Sequence, residues 1–190
     1  MNYFKRGVGQ SGFTLTEAVI ALALFVLISV VLYSIYALHQ KAYTTGEARA
    51  EILQNGRVIL ERMTREIRQA KNIVTELSDD ETGATSTILF QDGHDISTIQ
   101  YIHYFKEGFN IKREKIAYYF SGDSTTYVVW NANPPQGQEK IATTTEAAQI
   151  IGEYVASLNI WGLPLINISI NLEKGGQIVD LKTKILGRNL

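Results

Sequence analysis

The sequence predicts an α+β chain, one long N-terminal helix followed by a mostly antiparallel sheet. Three observations predict it. Ala18 to Leu38 is an apolar run without a charged residue. From there to about Val74 no proline occurs, and apolar residues recur at helical spacing. Beyond Leu77 the texture changes to short β-branched and aromatic runs separated by polar turns.

Composition sets outer bounds. A chain of 190 residues holds one domain and a long appended element. With 45% apolar and 19% charged residues it is neither a disordered chain nor a multi-span membrane protein. A net charge of −1 provides no electrostatic case for nucleic acid as the main partner. The absence of cysteine excludes a disulfide framework, thiolate catalysis and thiolate metal sites.

Residues 1–12 read as a leader. Lys5 and Arg6 are the only charged side chains before Glu17, and Gly7, Gly9, Ser11 and Gly12 favour an extended segment. Basic residues ahead of an apolar run keep that end in the cytoplasm. Residues 13–38 then read as a membrane-inserted helix, since Ala18 to Leu38 spans about 30 Å, the thickness of a bilayer core. The run is longer than a secretory signal, and no small-x-small cleavage site follows it. The glycine suited to a peptidase, Gly12, precedes the run, so the expected cut retains the helix. An uncut signal anchor is the plainer reading of the same hydropathy.

Glu17 separates the two. A carboxylate carried to the bilayer centre costs about 2.5–3.5 kcal/mol, less near the interface, so it needs a partner. A cut after Gly12 makes Phe13 the N-terminus, with an α-amine largely cationic at neutral pH. Glu17 lies four residues on and pairs with that amine either within one helix or between axially offset neighbours, the second neutralising two buried charges at once.

Gly12-Phe13-Thr14-Leu15-Thr16-Glu17, with its basic leader and following apolar helix, resembles the signal of type IV pilins and type II secretion pseudopilins. The resemblance covers about the first fifth of the chain. It implies a dedicated membrane peptidase that cuts after Gly12 and methylates Phe13, and it gives Glu17 a role in recruiting the subunit into a filament. It further implies a bacterial, non-enzymatic structural subunit without a cofactor. The partners implied are the prepilin peptidase/methyltransferase, other pilin or pseudopilin subunits, the inner-membrane assembly platform and, before assembly, membrane lipid. The implied location is the cytoplasmic membrane, crossed once with the C-terminal domain outside the cytoplasm, and afterwards a surface or periplasmic filament. In one respect the sequence departs from the pattern. Val30-Val31-Leu32-Tyr33-Ser34-Ile35 lacks the kinking proline of many major pilins, which leaves two expectations, a smoother helix or a melt point encoded otherwise.

Residues 39–76 continue the helix in amphipathic form, for a total of roughly 90 Å. Ala48, Ile52, Ile59, Met63, Ile67 and Ala70, widened by Leu53 and Leu60, make a stripe that packs on a sheet. Glu47, Arg49, Glu51, Arg57, Glu61, Arg62, Arg65, Glu66 and Arg68 read as a solvated or subunit-facing surface, with Glu61 and Arg65 as a favourable pair. Gly46 and Gly56 mark bends or close contacts.

Residues 77–190 form the β-rich domain. Ser78-Asp79-Asp80-Glu81-Thr82-Gly83 breaks the helix text. Strands are expected at 87–91, 97–106, 112–120, 126–130, 155–161, 166–172 and 177–185, with a hairpin turn through Gly175-Gly176. Asn131 to Gln138 reads as a loop and Thr145 to Tyr154 as a short helix. The segment Glu61 to Ala70, with Tyr118-Tyr119-Phe120 and Val155-Ala156-Ser157-Leu158, is similar to minor pilins of the PilW type and to J-type pseudopilins.

Little in the sequence signals chemistry. His39 is remote from His94 and His103, and those two lack a third ligand, so ordinary surface or core histidines are the favoured reading. Asp79, Asp80 and Glu81 fit a solvated loop better than a cation site. Asn167-Ile168-Ser169 matches a glycosylation sequon but falls in an expected strand. Lys112, Arg113 and Lys115 are the tight basic cluster of the sheet domain. Glu114 interrupts it, which favours a plain surface strand over a nucleic-acid contact in a DNA-uptake filament. The functional expectation is a minor pilin or pseudopilin. The alternative is a signal-anchored extracytoplasmic module that binds a ligand, as an adhesin or DNA receptor would.

Overall fold

The computed structural model describes Gly12, residues 14–94 and residues 98–188. The chain divides into two compact units, Met1–Thr44 and Thr45–Leu190. Among the described residues one α-helix, α1, runs Leu15–Gln69, and nine strands follow: β1 Asn72–Ile73, β2 Thr87–Gln91, β3 Tyr101–Glu107, β4 Asn110–Phe120, β5 Asp123–Val128, β6 Lys140–Gly152, β7 Val155–Trp161, β8 Leu165–Lys174 and β9 Gln177–Leu186. The architecture is α+β, a long N-terminal helix packed against antiparallel sheets.

In the first unit the helix is unbroken through Val30–Ile35, the smoother of the two expectations. The hydroxyls of Ser29 and Ser34 donate to the carbonyls of Phe25 and Val30, four residues back, at 2.8 and 2.9 Å. Each serine thereby satisfies itself within the helix.

In the second unit the predicted stripe forms the core. Ile52, Ile59, Met63, Ile67 and Ala70 are fully buried, Ala48, Leu53 and Leu60 half-buried. Gly56 is a close contact, since a Cβ there would meet the side chains of Leu172 and Leu181. Gly46 has open space around it. The helix ends at Gln69, short of Val74, because the next residues join the sheet: Lys71 and Val74 donate to the carbonyls of Gln91 and Leu89 at 3.1 and 2.8 Å. The helix-terminal carbonyl of Arg68 accepts from the Arg188 backbone at 3.1 Å, which satisfies one of the orphan groups there.

The larger sheet runs β1-β2-β3-β4-β5 with β6 also paired to β4, and the smaller runs β7-β8-β9. A bridge between Thr85 and Ile160 links them. Inward residues from both, among them Phe90, Tyr104, Ile111, Leu158, Ile168 and Leu172, close the core against the helix. Gly175 and Gly176 have φ of 57° and 75°, the two left-handed positions a tight hairpin needs.

The expected helix over 145–154 is wrong. Residues 145–152 extend β6, which pairs with β4 from Phe120↔Lys140 to Ile111↔Gly152, and 153–154 connect it to β7. Glu146-Ala147-Ala148 favours helix by only tenths of a kcal/mol per residue. A helix would leave one edge of the 11-residue β4 without a ladder partner. Strand β5 also begins earlier than expected, at Asp123.

Candidate functional site

The helix N-terminus is the site to which the sequence points. Gly12 is exposed, and Phe13 lies outside the described residues. Thr14 precedes the helix. Its N–H and its hydroxyl both donate to Glu17 Oε2, at 2.9 and 2.8 Å, and the Glu17 N–H donates to Thr14 Oγ1 at 3.4 Å. This is a capping box, in which two residues satisfy each other's free donors at the first helical turn. Thr14 is the residue that sequence reasoning overlooked. The pattern Thr14-x-x-Glu17 ahead of an apolar run was the available signal. The Glu17 carboxylate therefore has a local partner besides any it finds elsewhere.

From Leu15 to Leu38 every side chain is exposed; Phe25 is 69% and Leu32 61% accessible. Soluble monomers rarely leave so continuous an apolar surface to water, and large exposed patches mark membrane or protein contact sites. The helix is long and apolar enough to cross a membrane, and it fits a membrane anchor.

In the second unit, charges predicted to be solvated are joined instead. Glu66 is largely buried. It accepts from the Tyr104 hydroxyl at 2.7 Å and from Arg113 Nε at 3.0 Å, while Arg62 approaches its other oxygen at 3.4 Å. Arg113 also reaches Glu146 at 3.1 Å. Burial works against the Arg113 charge, but the hydrogen bonds to Glu66 and Glu146 outweigh it and hold the guanidinium above its ordinary value. Burial, reinforced by the Glu66 charge, pushes the Tyr104 hydroxyl well above the ordinary tyrosine range. Among the described residues, the helix pair four apart that forms is Arg62–Glu66, not Glu61–Arg65.

The same pairing disposes of the basic cluster on β4. Arg113 is buried, Lys112 is paired with Glu107, and Lys115 lies 3.4 Å from Asp92. Each cation has a carboxylate, so this strand is a paired surface and not a polycationic one. His94 is exposed, with its backbone N–H donating to Asp92 Oδ1 at 2.9 Å. His103 is half-buried between strands, 2.8 Å from Thr87 Oγ1 through Nε2 and 2.8 Å from Glu114 Oε1 through Nδ1. The Thr87 hydroxyl also lies 3.0 Å from the Tyr104 carbonyl, so this row ties β2, β3 and β4 together. Among the described residues no group of three His, Asp or Glu is placed to hold a metal ion. Asp80 caps a 3-10 turn at Glu81–Gly83, and Thr82 and Gly83 hold its carboxylate below the usual range. Asn167 sits in β8 with its amide donating to the Leu165 carbonyl at 3.1 Å.

Comparison with protein-family models, curated proteins and solved structures finds no match to this chain. The resemblance thus rests on the N-terminal motif and on architecture. That architecture, a long N-terminal helix with an apolar first half and a second half packed on antiparallel sheet, is pilin-like.

Proposed function

We propose that the chain is a minor pilin or pseudopilin, a prepilin that loses residues 1–12 to a membrane peptidase and then enters a type IV pilus or a type II secretion pseudopilus. The observation that carries this reading is an uncovered apolar helix that follows directly on the Gly12–Glu17 motif. Lipid covers such a helix before assembly. In a filament the apolar helices of neighbouring subunits replace the lipid, so extraction exposes no apolar surface to water. Cleavage after Gly12 gives Phe13 an α-amino group, which the same enzyme methylates. Glu17 then pairs with the amine of a neighbouring subunit, and the sheet unit stays outside the cytoplasm. The partners on this reading are the peptidase, other pilin or pseudopilin subunits and the inner-membrane assembly platform. Mass spectrometry of the native protein, from cells with an active prepilin peptidase, is expected to find methylated Phe13 at the N-terminus. An intact Met1 or Asn2 terminus would sink the proposal.

One observation favours a second reading, a signal-anchored binding module. Thr14 satisfies the Glu17 carboxylate within its own helix, so Glu17 has no need of a neighbour. Glu17→Gln separates the two, because glutamine serves a capping box equally but cannot neutralise an amine. Filament assembly fails in this variant on the first reading. Nothing changes on the second.

A further inference from the structure

The helix and the last strand flank an open groove of about 790 Å³ in the sheet unit, lined by more cations than carboxylates. Its upper wall is the helix face carrying Arg57, Arg65 and Arg68, and Arg188 stands at one end. All four arginines are exposed, and among the described residues none has an ion-pair partner. Among the described residues Glu61 is the single carboxylate lining the groove. Its floor is apolar, built from Leu60 and Leu181.

The other wall is β9. Among the described residues this strand pairs only with β8, so it is the free edge of the smaller sheet. Its outer row of N–H and C=O groups has no strand partner and is a template for one more strand. Basic residues commonly blunt such edges, and Lys182 and Lys184 on the exposed face of β9 do repel a second copy of the same strand. Lys182 is itself engaged by Glu81 at 3.4 Å. Arg57, Arg65 and Arg68 have a different position: they stand on the helix, above the slot that a new strand would fill, with Arg188 at one end of it. They reward a carboxylate-bearing strand there and penalise a basic one.

We propose that this groove is an acceptor for an extended acidic segment of another polypeptide, which adds to β9 as a fourth strand and pairs its carboxylates with Arg57, Arg65, Arg68 and Arg188. Main-chain pairing with β9 supplies affinity, alternate apolar side chains cover Leu60 and Leu181, and the carboxylates supply selectivity. An oligonucleotide satisfies the arginines but has no use for a sheet edge or an apolar floor. The proposal goes beyond filament assembly and stands for either reading of the N-terminus.

The test uses the full chain in detergent micelles and a short capped peptide that alternates glutamate with valine. Saturable binding is expected, with slowed hydrogen exchange at the β9 amides and weakening as salt is raised. Arg65→Glu with Arg68→Glu is expected to weaken binding by about tenfold or more, whereas Arg49→Glu, on the helix outside the groove, leaves it unchanged. Should the double reversal lower the thermal midpoint, Arg57→Gln with Arg188→Gln replaces it, with loss of binding again expected. The same peptide N-methylated at alternate amides keeps its charge but cannot pair with an edge, and it is expected not to bind. Equal binding by that peptide, tighter binding by single-stranded DNA, protection away from β9, or no saturable binding would each overturn the proposal.

Discussion

Removing the Glu66 carboxylate leaves the Arg113 guanidinium, 6% exposed, with one of its two anionic partners gone. Breaking a buried pair from one side is strongly destabilising, so Glu66→Ala is expected to cost about 3 kcal/mol in chemical denaturation. Replacing both residues, Glu66→Met with Arg113→Met, is expected to cost less than the single change, because no buried charge is left stranded. Tyr104 donates into the same group and adds a pH dependence. Its proton is held more tightly in the folded chain than in the unfolded one. The stability it contributes is therefore whole below about pH 10, the ordinary tyrosine value, and is lost as pH rises further. Tyr104→Phe should flatten that alkaline limb of a stability-versus-pH curve; an unchanged limb would assign it to other groups. None of this was legible at position 66, where the helical pattern shows a charge beside a core stripe. The partners Tyr104 and Arg113 lie 38 and 47 residues away in sequence, beyond the reach of local patterning. Glu17 is the opposite case, since its partner Thr14 stands three residues before it and the pairing was there to be read.

At the scale of elements, glycines show where helix and sheet touch. A Cβ on Gly93 would collide with the backbone carbonyl of Gln69, the last residue of α1. A backbone group cannot swing aside as the end of a side chain can, so Gly93→Ala is expected to destabilise by about 1–3 kcal/mol. Gly46, within the same helix, has nothing near it. Gly46→Ala is expected to stabilise by about 0.5–1 kcal/mol through helix propensity alone. The two variants differ in sign, and thermal denaturation of both distinguishes a real close approach from a general glycine effect. The elements themselves were readable where local signals suffice: the stripe from Ile52 to Ala70, the β-branched strands β2 and β7, and the Gly175-Gly176 turn. β6 was not readable. Its helix-prone Glu146-Ala147-Ala148 is overruled by a ladder to β4, and that ladder depends on a strand some 30 residues earlier being open on one edge.

For the molecule as a whole, the decisive fact is where burial begins. Among the described residues Ile52 is the first fully buried one, and the entire core cluster lies between it and Ile185. Nothing from Leu15 to Leu38 belongs to that core. The hydrophobic term that folds the sheet unit is thus contained in Thr45–Leu190, whereas the long run of exposed apolar side chains lies in the segment before it. Cutting the chain before Thr45 should separate the two properties. Residues 45–190 are expected to be monodisperse without detergent, and to melt within a few degrees of the full chain in micelles. The missing residues carry no core side chain, and a loss of 1 kcal/mol in a unit of this size moves the midpoint by only about 2–4 °C. Size-exclusion chromatography and differential scanning calorimetry of both forms read this out. A fragment that aggregates, or melts far below the full chain, would mean that the apolar helix stabilises the sheet unit as well as anchoring it. An unchanged midpoint would establish the sheet unit as independently folding, and the groove beside β9 could then be probed for strand binding without detergent.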